Sequence, residues 1–458
     1  MKISGQRKTL TSIIVLSSLL LFVASWQFNY VSSELEVEKQ QGPILIIAGK
    51  IWDGLSNSTQ NDVQILVDNG KIKQIGQNIS VSENYIELNL SNYTVTPGFI
   101  DLHVHLSIDP DPVLVENTII ELISTSPYTK LLTAVSHVNK LLMSGFTSVR
   151  DTGEPIPGTA MVDLREAIEN DQVIGSRLFV ASHYATTAGG HGDLAYLAPT
   201  NLENSLKQEG SRIVGEDNVR EFVRNEYSRG TDWIKIIANG AFFEPLHAQD
   251  VQSFTDEEIK VMIEEATKWG IPVTVHAHIP DTIQLAVNSG VSSIEHGSLV
   301  DQETIELMEE KGTAFIPTLN NYDFFVPTVN QTWLSSQPDY IVDRVNKYEK
   351  IAQQAREIIV NSTNLSIGYG SDAGYAIPIE DNWKEFYSMV NSGFTPVRAL
   401  KAATSVASEI IDRPDLGTLE VNKTADIVAW DGDITQDIKV IHENVFVMKE
   451  GNIYKIPN

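Results

Sequence analysis

From Phe99 to Gly370 the chain repeats one unit, a short apolar run of strand type followed by a longer stretch of helical character. The runs end near His103, Asp151, Ala181, Ile237, His276, His296, Pro317 and Gly370. Helix signals fall between or after them. Thr255-x-x-Glu258 is a capping box opening a stretch that reaches Trp269, and Thr395-Pro396 sets an N-cap before a proline at the first helical position. Strand–helix units in succession make the strands parallel, with the helices outside them. Eight is the number that closes such a sheet, so the pattern predicts an α/β fold of the TIM (β/α)8 barrel type. Reactive groups of that architecture sit at the C-terminal ends of its strands.

Those ends carry a distinctive set of side chains. His103 and His105 alternate on the first strand, so both can point to one side. Lys235 lies inside the apolar run Trp233-Ile-Lys-Ile-Ile237, where a free ammonium is costly. His276 ends Val273-Thr-Val-His276, His296 ends Ser293-Ile-Glu-His296, and Asp372 follows the eighth strand in Gly370-Ser-Asp-Ala-Gly374. Each has an ordinary explanation by itself: a capped loop, a lysine head reaching water, an aspartate in a turn. Four histidines, a lysine and an aspartate at the mouths of five strands point instead to a metal site. The chain has no cysteine, so any metal must take nitrogen and oxygen ligands. His191, in a glycine-rich loop, His278, two residues beyond a candidate ligand, and Tyr322, after the seventh strand, are candidate substrate contacts. His137, His183, His247 and His442 read as structural or surface residues.

The two ends of the sequence have a different texture. Strand-like runs at 44–48, 63–67 and 71–75, the last two joined by the hairpin signal Asp68-Asn69-Gly70, are matched only by runs at 426–430 and 445–449. Residues 40–97 plus 410–458 are therefore expected to form a small β-sandwich domain beside a metal-dependent barrel at 98–409. Residues 201–230 and 320–345 read as long connections over the active face. The first 25 residues place Lys2, Arg7 and Lys8 before an apolar run that ends near Ala24, the pattern of a signal peptide or, second, an N-terminal anchor. An exported protein, periplasmic or secreted, is expected. A net charge of -27 argues against nucleic acid or an anionic membrane surface as partner.

The ordered motifs Pro97-Gly-Phe-Ile-Asp-Leu-His-Val-His105, Trp-Ile-Lys-Ile, Val-His-Ala-His, Ile-Glu-His-Gly and Gly-Ser-Asp-Ala-Gly resemble those of the amidohydrolase superfamily. Gly417-Thr-Leu-Glu-Val-Asn-Lys-Thr-Ala-Asp-Ile-Val428 looks like its returning β-segment. Gly145-Phe-Thr-Ser-Val-Arg-Asp151 and Gly189-Gly-His-Gly-Asp193 are similar to the imidazolonepropionase-like and prolidase-like branch. The resemblance implies two divalent ions, zinc first, with manganese, cobalt or iron as substitutes. His103 and His105 would hold one ion with Asp372, His276 and His296 the other, and a carbamate on Lys235 would bridge them. It further implies attack by a metal-bridging hydroxide, with Asp372 as general base and then acid. The expected substrate is a small amide such as a dipeptide or N-acyl amino acid. A cyclic amide, ester or lactone is the alternative, and a non-catalytic barrel is third. A homo-oligomer is compatible with the sequence. Ala238-Asn-Gly-Ala241 departs from the more glycine-rich segment usual after the fourth-strand lysine, so a substrate pocket different from that of relatives is expected.

Overall fold

The computed structural model describes residues 42–457, except 82–83, 111–114, 194, 196–210, 242–248, 326–333 and 376, and except the side chains of 115–119, 322, 324 and 325. The expected leader at 1–25 lies outside the described residues. Among the described residues no helix is long and apolar enough to cross a membrane.

The terminal segments form one sheet. Strands β1 (Ile44–Ile51), β2 (Gln60–Asp68) and β3 (Lys71–Gly76) make an antiparallel meander, and β4 (Ile86–Pro97) runs parallel to β1. The β2–β3 turn has Asn69 at φ 50° and Gly70 at φ 71°, the paired positive angles that a two-residue hairpin needs. The distant strands Ile427–Trp430, Asn444–Lys449 and Asn452–Lys455 complete seven strands by pairing onto the free edge of β4. All seven strands hydrogen-bond into one mixed sheet, which does not by itself establish the small β-sandwich expected from the sequence. The physical reason for the one sheet is the 12-residue β4, which offers one edge to β1 and the other to the returning chain. Ile46, Ile65, Val95, Ile427 and Phe446 form its core.

The middle of the chain supplies parallel strands in two arcs. One contains β5 (Phe99–Val104), β6 (Phe146–Asp151) and β7 (Arg177–Val180). The other contains β8 (Tyr184–Ala185), β9 (Ile234–Ile237), β10 (Val273–Ala277), β11 (Ser293–His296) and β12 (Ala314–Ile316). The expected third strand is broken between β7 and β8, where Ser182 takes φ 38°. Backbone bonds bridge this break, since Asp232 and Trp233 N–H both donate to the Val180 carbonyl at 2.8 and 3.1 Å. On the opposite side, Phe315 N–H donates to Ser366 O at 2.8 Å, Leu102 N–H to Tyr369 O at 2.9 Å and Asp372 N–H to His103 O at 2.8 Å. The segment around 366–373 therefore lies between β12 and β5. Helices pack outside, including Glu216–Arg229 and Asp339–Asn361, which extend into stretches the sequence suggested were connections.

Phe99 stacks on Trp430 with centroids 5.1 Å apart and also contacts Phe146 and Phe386, which pack with Tyr369 in the same apolar core. This ties the start of β5 to the terminal sheet, and β5 carries the first two candidate ligands. Helix Asp256–Trp269 shows the full capping box, with the Thr255 side chain accepting from Glu258 N–H and Glu258 reaching back to Thr255 N–H. Thr255→Ala is expected to cost about 1 kcal/mol of stability, seen as a lower urea midpoint at unchanged slope. A midpoint equal to the parent's would show that the cap contributes nothing.

Candidate functional site

The site is built where the strands end. His103 is 1% exposed on β5, and its Nδ1 lies 2.7 Å from Glu295 Oε2. Its Nε2 points to Asp372 Oδ1 at 3.2 Å. His105 donates from Nδ1 to the Gly153 carbonyl at 3.0 Å, leaving Nε2 3.4 Å from the same Asp372 oxygen. Two imidazoles thus present one ring nitrogen each to a single carboxylate oxygen, while the other nitrogen is held from behind, the usual arrangement for metal-binding histidines. These three residues can offer ligand atoms that all lie within 4.8 Å of one another.

Backbone geometry explains the motifs around them. Asp372 sits at φ 56° and His296 at φ 70°, left-handed values that L-residues other than Asn, Asp and His seldom adopt. A Cβ on Gly374 would lie 1.7 Å from the His105 carbonyl oxygen, so the Gly-Ser-Asp-Ala-Gly run needs glycine there for backbone to lie against backbone. Asp101 fastens the same two segments. It accepts from His103 N–H at 3.1 Å, Ser371 N–H at 3.1 Å and Ser371 Oγ at 2.7 Å, and burial pushes its carboxyl up to about 6.

The other candidates face the same cavity, which measures about 760 Å³ including the solvent at its mouth and is lined by His103, His105, Lys235, His276, His296 and Asp372 among others. Lys235 is 2% exposed on β9, and its amine has no hydrogen-bond partner among the described residues. Burial brings the amine down to about 8, against the opposing pull of Glu295 and Asp372. His276 ends β10 with its ring centroid 4.4 Å from that of His296, and its Nε2 donates to the Gly240 carbonyl at 3.2 Å. His296 Nδ1 meets the Thr318 hydroxyl at 2.8 Å. Burial holds both of these imidazoles well below their ordinary value, against the opposing pull of Asp372 on His296, so each is neutral and carries a lone pair on one ring nitrogen. Burial alone would raise the Asp372 carboxyl, yet His103, His105 and His296 keep it well below the usual range.

The second-tier residues divide. His278 and His191 line the cavity, with ring centroids 4.7 and 4.9 Å from that of His276. Burial takes His278 down to about 3, and its Nδ1 contacts Ser298 Oγ at 2.8 Å. The backbone of Tyr322 lies in helix Leu319–Phe325, but its side chain is outside the described residues, as is His247. His137 bonds the Leu106 carbonyl and His183 the buried Glu226, while His442 lies away at the surface.

Sequence reading missed three groups. Glu295, inside Ile-Glu-His-Gly, backs His103 and pairs with the fully buried Arg150 at 2.7 Å, whose Nε donates to Leu102 O at 2.6 Å. Asp101 fastens the first and last motifs. Asn321, next to the residue that was singled out, donates from Nδ2 to Asp372 Oδ2. The available signal for the first two was a charge inside an apolar strand, which must be paired if it is buried.

The donor set fits divalent cations: neutral imidazoles, an ionised carboxylate and a buried amine lacking a partner among the described residues. His103, His105 and Asp372 would hold one ion, and His276 and His296 another beside Lys235.

Comparison with known proteins agrees with this geometry. Residues 94–456 match the Amidohydrolase family. The chain is 26% identical to the ochratoxinase of Aspergillus niger over 437 residues, covering 90% of this chain and 87% of that one. It is also similar to the crystal structure of a Xaa-Pro dipeptidase with bound methionine, at a TM-score of 0.79 and 29% identity over 90% of this chain and 100% of the other. A prolidase solved with N-methylphosphonate-L-proline matches at 0.78 and 27%, over 91% and 100%. With a match that spans most of its length and a cavity furnished with the ligand types that chemistry needs, the chain belongs to the amidohydrolase family and is a hydrolase.

Proposed function

We propose that the protein is a metal-dependent hydrolase that cleaves the amide bond of a small substrate such as a dipeptide or N-acyl amino acid. The observation that carries this reading is the convergence of His103 Nε2 and His105 Nε2 on one oxygen of Asp372, in a cavity that also holds Lys235, His276 and His296. Similarity to a Xaa-Pro dipeptidase and to a prolidase supports the choice of substrate. In this reading the two arcs and the segment at 366–373 are a closed (β/α)8 barrel, with 98–409 as the catalytic body and the terminal sheet from 40–97 and 410–458 as its support.

Divalent ions, zinc first, would supply Lewis acidity toward the amide carbonyl and toward water. The protein's own groups do the rest. Glu295 and the Gly153 carbonyl hold His103 and His105 with their inner nitrogens exposed to the cavity. Asp372 takes a proton at its carboxylate and returns it to the departing nitrogen. His191 and His278 contact the substrate from the cavity wall. Lys235 is set up to take a carboxyl group. With its amine near 8, roughly a tenth of it is neutral at pH 7 and able to attack carbon dioxide, losing a proton as the N–C bond forms. The product would be an anion where an unpaired cation is costly.

Metal analysis with a substrate panel tests this reading. Purified protein is expected to hold about two divalent ions per chain, to lose turnover of dipeptides or N-acyl amino acids on chelation, and to regain it with zinc. Fewer than one ion after full reconstitution, or no turnover of any amide by loaded protein, would sink it.

A further inference from the structure

Seven asparagines of the described residues are followed two positions later by serine or threonine, with no proline between: Asn57, Asn78, Asn89, Asn92, Asn361, Asn364 and Asn422. An eighth, Asn330, lies outside the described residues. Such tripeptides also arise by chance, so their placement is what gives the motif weight. All seven are exposed. The buried asparagines Asn239, Asn320, Asn382 and Asn444 are never followed by that hydroxyl.

Four of the seven stand in turns or at a helix end. Asn57 lies in the loop from β1 to β2, and Asn78 comes directly after β3 at φ 53°. Asn361 ends helix Asp339–Asn361, and Asn422 takes φ 71° in a turn before strand Ile427–Trp430. None of the four lines the cavity. Asn57, Asn78 and Asn422 belong to the terminal sheet and its turns, and that sheet is tied to the start of β5 by the Phe99–Trp430 stack. His103 and His105 lie at the other end of β5. Asn361 precedes the segment at 366–373, which reaches Asp372 only at its far end. Bulk at these positions leaves the mouth of the cavity open. The surface beside them is of the kind a hydrophilic cover protects. Leu55 and Val421, 48% and 51% exposed, neighbour Asn57 and Asn422, and Asn78 follows an edge strand of the seven-stranded sheet.

We propose that the exported chain is an N-linked glycoprotein, modified at Asn57, Asn78, Asn361 and Asn422. The tripeptide is the acceptor signal for such sugars on surface loops of secreted proteins, and the attached group is bulky and solubilising. The donor is of the lipid-phosphate-linked oligosaccharide class. Transfer breaks the bond between the first sugar carbon and the phosphate oxygen, which keeps the electron pair. Asparagine Nδ2 forms the new bond to that carbon and gives up one proton. At Asn57 the oxygen of the amide is the atom engaged, accepting from Lys401 Nζ at 3.2 Å, so this contact leaves Nδ2 to react. The proposal rests on the leader expected at 1–25, since the acceptor tripeptide is used in secreted chains. It is independent of the hydrolase reading.

The test is glycopeptide mapping, intact mass and N-terminal sequencing of the full chain purified from its own cells. Saccharide is expected on at least two of the four asparagines. Asn78→Gln should then remove one saccharide unit from the mass. Ser80→Ala, which keeps the asparagine and deletes only the hydroxyl, should remove the same unit. A unit that survives in Ser80→Ala overturns the assignment at Asn78. Bare asparagine at three or more of the four positions, in a chain that has lost its leader, overturns the proposal and leaves export standing. An intact Met1 on an unmodified cytosolic species overturns both.

Discussion

Replacing Lys235 with methionine is expected to lower hydrolysis by ~10³-fold or more, yet leave the metal-free protein as stable as the parent or more stable. The two halves follow from one fact, that a 2% exposed amine lies in the cavity without a hydrogen-bond partner among the described residues. In the metal-free protein such a group is a burden. An unsatisfied buried polar atom costs about 1–3 kcal/mol, and methionine of similar length fills the space without that penalty. In the working enzyme the same position would supply a carboxylated, anionic ligand shared by the two ions. Its loss should then lower metal content and remove several kcal/mol of transition-state stabilisation. A short carboxylic acid added to Lys235→Ala should restore part of the turnover by refilling the gap. The measurements are metal content, kcat/KM, urea midpoints of chelated proteins and intact mass for a carboxyl group on the parent. A variant that keeps metal and turnover, or that is strongly destabilised without metal, would make Lys235 a structural residue.

Glu295→Ala should have the largest effect on stability, a loss of about 3–5 kcal/mol. Glu295 and Arg150 are both fully buried, and Arg150 lies over the Trp233 ring at 4.5 Å with its Nη2 on the glutamate at 2.7 Å. Removing one partner strands the other as an uncompensated charge. Burial pushes the Glu295 carboxyl up, but Arg150 and His103 win and hold it far below its ordinary value, so it is an anion in the native protein. The same substitution frees His103 Nδ1, so the ring loses the partner that turns Nε2 toward Asp372. Structure and positioning can be separated. The double variant Arg150→Met with Glu295→Leu removes both charges together and should regain most of the lost stability. It should not regain affinity at the His103 site, because no acceptor remains behind the ring. Metal titration of the folded double variant decides this. Affinity equal to the parent's would mean that Glu295 matters only as a counter-charge for Arg150.

How much of this could be read from the chain depended on the range of the signal. The Asn69-Gly70 hairpin and the Thr255 capping box are local, and both appear where the sequence put them. The strand-end residues His103, Lys235, His276, His296 and Asp372 share one cavity, as period-two patterning and the parallel-strand rule led us to expect. Asn321 was missed, and its neighbour Tyr322 was chosen instead, because a short helix after β12 turns one residue toward the cavity for reasons carried by Glu385, far along the chain. The pairing of the terminal strands was not legible for the same kind of reason. Alternating patterns mark strands but not their partners, and the long edge of β4 chose both.

The sequence by itself determined that the strands are parallel, that the reactive side chains gather at their ends, and that a bound metal can meet only nitrogen and oxygen. These follow from local periodicity and from residue type. The tertiary structure alone decided which nitrogen each imidazole turns inward, which oxygen of Asp372 faces the ligands, and which acid backs His103. Those choices depend on groups such as Glu295 and Gly153, brought beside His103 and His105 from other strands. An imidazole has two nearly equivalent nitrogens, and only a partner fixed in space distinguishes them.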